Sequence, residues 1–283
     1  MLNKISNRVF YMTHNNDTDR PAIGLVCGDK FSLIIDAGNS PNHAKEFLAE
    51  TTTMDISPLK YIAITHWHWD HVFGISTMKI PTIAHSETKK KIDEMKELSW
   101  DDCSLDERVK TGQEIEFCRD MMKLEMPNRD KLIIGDIDIA FKDCVEIDLG
   151  GVQCIIENVG GDHSIDSSII YVPEEKVMFL GDCIGEDIYS GPRSYSKEKL
   201  FPMIEKIKKY DAEFYIMSHG SPISKKDMDI IFEELTYAGD FVGDDIIVEQ
   251  VIERFINAHE KQPNNQEISD INSFVQGNIK SKM

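Results

Sequence analysis

Three imidazoles and a carboxylate fall within six residues in the segment Thr65-His66-Trp67-His68-Trp69-Asp70-His71, directly after the apolar run Tyr61-Ile62-Ala63-Ile64. Imidazole nitrogen and carboxylate oxygen together suit zinc, with iron or manganese as further choices, and donors this dense serve two ions better than one. A helix would set His66 and His68 roughly 200° apart, whereas an extended segment points both the same way, so the pair belongs to a strand end or loop. Asp70 and His71 are adjacent and diverge unless the chain turns there. A turn would send them toward a second ion while His66 and His68 hold the first. Trp67 and Trp69 alternate with these donors, so they are expected to face away from the metals and pack beneath the loop.

A two-ion site needs about three protein donors per ion and a shared oxygen, so the loop must be completed from elsewhere. Three places qualify, each just after an expected strand, where loops at one sheet edge converge. They are Gly160-Gly161-Asp162-His163-Ser164, Phe179-Leu180-Gly181-Asp182-Cys183 and Ile216-Met217-Ser218-His219-Gly220.

The elements that must position these residues follow from the hydrophobic pattern. Val9 to Met12, Ala22 to Cys27 and Phe31 to Ile35 read as strands, the last two joined by the turn Gly28-Asp29-Lys30. Ser40-Pro41 opens a helix through Ala49, with serine as cap and proline at the first helical position, and Lys60 to Thr65 is the next strand. A charged, helix-prone insertion spans about 95–130, with a helix start within Asp101 to Glu107. Further strands are expected at Lys131 to Gly135, Ile137 to Phe141, Val145 to Leu149, Val152 to Asn158, Ser168 to Val172 and Lys176 to Leu180. Gly150-Gly151 and Pro173-Glu174-Glu175 supply turns. Thereafter the pattern is mainly helical: Ser196 to Tyr210, a strand Phe214 to Met217, then Lys225 to Tyr237, Asp244 to His259 and Asn265 to Ile279. The spacing of Ile246, Ile247, Val251 and Phe255 predicts a core-facing stripe, and secondarily a homodimer seam. Many short strands flanked by helices predict an α/β sandwich.

Composition bounds the function. With 50 acidic and 31 basic residues the formal charge is −19, which disfavours a nucleic-acid polymer as partner. No signal-like apolar stretch opens the chain and no run reaches the roughly 20 apolar residues of a membrane span, so a cytoplasmic location is the default. Cys27, Cys103, Cys118, Cys144, Cys154 and Cys183 form no Cys-x-x-Cys pair and read as reduced, mostly buried thiols.

From about residue 8 to 220 the chain resembles the metallo-β-lactamase superfamily, binuclear hydrolases that include glyoxalase II, lactonases, phosphodiesterases and β-lactamases. Five motifs carry the resemblance, in order: Asp36 within Ile35-Asp36-Ala37-Gly38, the His-x-His-x-Asp-His loop, Gly161-Asp162-His163, Gly181-Asp182 and Ser218-His219-Gly220. The resemblance implies an αββα sandwich of two mixed β-sheets flanked by helices, over residues 1–240, with residues 241–283 a C-terminal helical extension. It implies one divalent ion on His66, His68 and His163, a second on Asp70, His71 and His219, Asp182 as the bridge, and Asp36 behind the ligand loop. Hydroxide held between the ions would attack the substrate, and Asp70 would pass a proton to the leaving group.

The expected substrate is a small ester, thioester or lactone of the glyoxalase II and lactonase branch, with a phosphodiester as alternative and a non-hydrolytic di-iron sensor as a different class. β-Lactamases of this family that use a cysteine ligand place it near Asp182, so antibiotic hydrolysis is not expected, and Cys183 should point away from the site. Flavodiiron-type relatives carry Glu where this chain has His68. Val72-Phe73-Gly74 and Ile165-Asp166-Ser167 depart from the glyoxalase II pattern, and the insertion between His71 and His163 should overhang the site. Tyr189, Arg193 and Tyr195, shortly after Asp182, are the candidate substrate contacts.

Overall fold

Strands whose two faces are both apolar dominate the centre of the molecule, and each face meets a different layer. In the computed structural model, which describes residues 1–282, every residue of Ser32-Leu33-Ile34-Ile35 is buried, as is every residue of Ser168 to Val172 and of Val177 to Gly181. Such uninterrupted apolar strands are covered on both sides.

The first sheet runs in chain order: β1 (Asn3–Lys4), β2 (Val9–Met12), β3 (Ile23–Cys27), β4 (Ser32–Ile35), β5 (Leu59–Ala63), β6 (Thr82–His85) and β7 (Ile139–Phe141). It is antiparallel up to β4 and parallel from β4 to β7. The second sheet contains β8 (Cys144–Asp148), β9 (Gln153–Asn158), β10 (Ser168–Val172), β11 (Val177–Gly181), β12 (Phe214–Met217) and β13 (Ile223–Ser224) in spatial order β13-β12-β11-β10-β9-β8. Only its β11–β12 pair is parallel.

Alternation sorts side chains between layers. Leu33, Ile35 and Ala63 meet Ile156, Ile170, Val177 and Phe179 between the sheets. Ile34, Ile62 and Ile64 face the helices α1 (Pro41–Thr51), α2 (Trp69–Val72), α3 (Ile75–Met78), α4 (Ser86–Lys96), α5 (Asp102–Lys110) and α6 (Glu116–Glu125). Ile169, Met178 and Leu180 face α7 (Lys197–Ile207), α8 (Lys225–Val242), α9 (Val248–His259) and α10 (Asn265–Ser281). The result is the expected four-layer αββα sandwich.

Local signals set several boundaries where expected. Ser40 caps α1 by accepting from His43 N at 3.0 Å, and Asp101 caps α5 through Ser104 N at 3.0 Å. Other expectations are corrected. The Lys131 to Gly135 run forms no ladder, because Ile134 and Gly135 pack on the helical layer, where a Cβ on Gly135 would lie 2.3 Å from Ile75. Strand β6 was not expected: its four residues are too few for a pattern of their own, and only burial between β5 and β7 reveals it. The apolar stripe is half right, since Val251 and Phe255 are buried whereas Ile246 and Ile247 are each 44% exposed ahead of α9. Cys118, Cys154 and Cys183 are buried, but Cys103 and Cys144 are exposed, and all six thiols are free. No helix among the described residues is long and apolar enough to cross a membrane.

Two ties hold the insertion and the C-terminal helices to this frame. Glu125, at the end of α6, accepts from Thr18 Oγ1, Arg20 and Ser40 Oγ, which joins the insertion to the N-terminal segment and to the α1 cap. Helix α10 contributes Ile271, Phe274 and Val275 to the core beneath α7 and α8, and Ser273 O accepts from Tyr195 N at 3.0 Å. Gly277 is required there, because a Cβ would stand 1.9 Å from Tyr195 O. Gly277→Ala should therefore cost about 1–3 kcal/mol of stability by overpacking, read as a lower urea midpoint with an unchanged slope.

Candidate metal centre

β4, β5, β9, β11 and β12 all release their C-terminal ends at one edge of the sandwich, and that edge gathers the reactive residues. Asp36 follows β4, His66 follows β5, His163 follows β9, Asp182 follows β11 and His219 follows β12. His68 caps the short helix α2, which carries Asp70 and His71. That helix is the turn the sequence required for the adjacent pair. Asp36 has φ 61°, in the left-handed region that an aspartate tolerates better than most residues. Gly181, at φ 57°, brings its backbone so close to Thr65 that a Cβ would lie 2.7 Å from Thr65 Cβ.

Seven donors form two groups within which the donor atoms lie no more than 4.8 Å apart: His66, His68 and His163, and Asp70, His71, Asp182 and His219. Asp182 Oδ2 stands between them, at 3.2 Å from His71 Nε2, 3.5 Å from His219 Nε2, 3.7 Å from His163 Nε2 and 3.8 Å from His66 Nε2. One carboxylate oxygen thus reaches both groups.

The partners behind the rings orient them. Asp36 Oδ2 accepts from His71 Nδ1 at 2.8 Å, and Asp36 Oδ1 accepts from Thr65 N at 2.8 Å. Thr65 Oγ1, which donates to Asp36, lies 3.0 Å from His66 Nδ1, and Glu186 O lies 3.2 Å from His163 Nδ1. With each Nδ1 donating, the Nε2 lone pairs point inward. His66 Nε2 and His163 Nε2 then face one another at 3.2 Å. Buried lone pairs in this arrangement repel unless a cation lies among them, so the donor set fits a metal.

Charge follows the same division. Burial, reinforced by neighbouring imidazoles, holds His66 and His68 well below the usual histidine range, and burial lowers His163 as well, which keeps all three neutral as ligands must be. Burial also opposes charge on His71 and His219, but Asp70, Asp36 and Asp182 outweigh it at His71, and Asp182 and Asp70 raise His219 to about 11. Asp70 and Asp182 are held well below the carboxylate range despite burial, through His71 and His219. The second group therefore demands positive charge at its centre.

The tryptophans lock the loop. Trp69 is buried against Phe73, while Trp67 Nε1 donates to Ser164 Oγ at 3.0 Å, linking the ligand loop to the segment after His163. Cys183 is buried in the core beneath α7, away from the donors.

Above the donors opens a cavity of about 420 Å³. Arg193 and Tyr195 line it, but Arg193 is an exposed rim residue 3.4 Å from Glu186, and the Tyr195 hydroxyl donates to Ile184 O at 2.9 Å. Tyr189 packs its ring 5.1 Å from His68 and donates to Glu114 Oε1 at 3.1 Å.

Sequence reading missed Asp19, which lines the cavity at φ 57° with Oδ1 3.4 Å from His219 Nδ1, an ion pair rather than an aligned hydrogen bond. Burial and then Asp70 push its carboxyl up to about 7. The polar run Asn15-Asn16-Asp17-Thr18-Asp19 has the composition of a turn, which says nothing of its destination.

The sequence model of the metallo-β-lactamase superfamily matches residues 17–219, the stretch that contains every one of these donors. The chain belongs to this superfamily. The donor residues of both metal-binding groups are all present in it. A linear primary-alkylsulfatase from Pseudomonas sp. (strain ATCC 19151) is 21% identical over 227 residues, covering 69% of this chain and 40% of that enzyme. The chain thus spans less than half the length of that relative.

Among solved structures, a metallo-β-lactamase from Pontibacter korlensis aligns with TM-score 0.57 at 19% identity, over 82% of this chain and 97% of its own. DIM-1 metallo-β-lactamase aligns with TM-score 0.57 at 16% identity, over 82% of this chain and 96% of its own. A double mutant of the sec-alkyl sulfatase PisA1 aligns with TM-score 0.65 at 12% identity, over 98% of this chain and 50% of its own. At these identities the structural likeness establishes the fold. The relatives named are β-lactamases and alkylsulfatases, not the glyoxalase II and lactonase branch that the sequence suggested.

Metal content supplies two tests. His66→Ala should bind one equivalent fewer divalent cation than the parent, and Asp182→Ala should weaken both sites, as measured by mass spectrometry after dialysis. Asp36→Ala and Asp19→Ala leave all seven donors in place, and each should lower the affinity of the second group about 10–100-fold in competition with a chromophoric chelator.

Proposed function

We propose that this chain is a metallohydrolase that cleaves a small carboxylic ester, thioester or lactone. The observation that carries the reading is Asp182 Oδ2 standing within 3.8 Å of imidazole nitrogens from both donor groups, directly beneath an open cavity. Two divalent cations, zinc by the balance of imidazole and carboxylate donors, would supply Lewis acidity that activates water and polarises the scissile bond. The five histidines, Asp70 and Asp182 would hold them, and Asp36 and Asp19 orient His71 and His219. Asp70, whose Oδ2 lies 3.1 Å from both His71 Nε2 and His219 Nε2, faces the cavity and is placed to take the proton of the attacking water and deliver it to the leaving oxygen or, in a thioester, sulfur.

The cavity lining favours a neutral carbonyl over an anionic phosphodiester, because it presents Asp19 and Glu186 alongside the donor carboxylates and, apart from the donor histidines, only Arg193 as a cation among the described residues. A sulfate ester is the second reading, favoured by the likeness to alkylsulfatases. Zinc-loaded protein assayed against p-nitrophenyl esters, thioesters, lactones, alkyl sulfates and bis-p-nitrophenyl phosphate separates these. Turnover of carbonyl substrates, lowered at least about 100-fold by Asp70→Asn, is expected; cleavage of the sulfate or phosphate substrates alone would replace this reading.

A further inference from the structure

The cavity has a polar floor and apolar walls, and the walls come from two separate segments. Ile115, Phe117 and Cys118 of the insertion form one, and Ile184, Ile188 and Tyr195, after Asp182, form the other. Phe117 lines the cavity and is 50% exposed, so part of its ring is open to an entering apolar group. Leu124 and Phe117 both lie on α6 with similar exposure, but only Phe117 reaches the cavity.

The two walls are fixed to each other. Tyr189, next to Ile188, donates its hydroxyl to Glu114, next to Ile115, at 3.1 Å, and the Tyr189 ring packs 5.4 Å from Trp67 of the ligand loop. The slot between the walls is therefore formed before a ligand arrives, and an apolar group that enters it is not charged the cost of ordering a loop. Charge disfavours the alternative use of the slot for an anionic tail, since Arg193, the one cation beside its walls among the described residues, is solvent-exposed and already beside Glu186.

We infer that the insertion is a tail-binding wall: the substrate is an amphiphile whose reactive group lies over the donor residues and whose aliphatic chain runs between Phe117 and Ile188. The assignment deepens the ester hydrolase reading and rests on it. Phe117 is then a specificity-determining residue that reads chain length.

The experiment uses the zinc-loaded full chain and two readouts. For p-nitrophenyl acetate, butyrate, hexanoate and octanoate, kcat/KM should rise about fourfold per added methylene until the slot is filled, carried by KM, and the octanoate-to-acetate ratio should fall at least about tenfold in Phe117→Ser. That falls within the loss of a few buried methylene contacts. Because the Phe117 side chain is half-exposed, its replacement leaves the core intact, which the thermal midpoint verifies. Separately, titration calorimetry should show 1-decanol binding at far lower concentration than 1-propanol, and Phe117→Ser should weaken the decanol binding. A flat chain-length profile in protein that hydrolyses the acetate overturns the tail wall and leaves the hydrolase standing. Phe117-dependent decanol binding in protein that cleaves none of the esters upholds the wall and overturns the ester reading.

Discussion

The arrangement depends on the mutual repulsion of inward-facing donors at one sheet edge. Imidazole lone pairs and carboxylate oxygens within hydrogen-bonding distance of one another are unfavourable in a desolvated site unless positive charge sits among them. The scaffold holds them there regardless, through Asp36, Thr65 and the carbonyl of Glu186, each bonded to the far side of a ring. Those bonds are backed by parallel strands buried on both faces, so the rings cannot relax apart without opening the sandwich. The free energy stored in this way is released when cations bind, which couples metal affinity to the stability of the whole fold.

The ligand loop was legible because its chemistry is local: His66, His68, Asp70 and His71 lie within one turn and one strand end. His163, Asp182 and His219 were legible at one remove, since each follows an apolar run and completes a motif of the family. Asp19 was not, for its role arises from a clamp between segments far apart in sequence, Arg20 to Glu125. Likewise β6 and the failed strand at 131–135 were settled by which layer had room. The candidate substrate contacts rest on a similar argument: Tyr195 and Tyr189 were chosen for proximity to Asp182 in sequence, and their hydroxyls are directed to Ile184 O and Glu114.

Division of labour between the halves of the molecule follows from the topology. The first sheet supplies the dense loop and its rigid backing, and the second supplies single donors from separate strand ends. Neither half is complete alone. Cations at the edge would therefore cross-link the two sheets near the ends that have no ladder in common, while the apolar seam of Leu33, Ile35, Ile170 and Phe179 joins them elsewhere.

Glu125 gives the insertion a fixed far end, with its carboxylate only 4% exposed beside Arg20. A segment pinned to the N-terminal turn at one end and to the Tyr189 hydroxyl at the other presents its intervening side chains at constant height over the reactive edge. Descendants of this chain could therefore acquire new preferences by single replacements at 115, 117 or 118, with neither the metal donors nor the frame obliged to change. Selection would act on the wall of the vessel and leave its chemistry untouched.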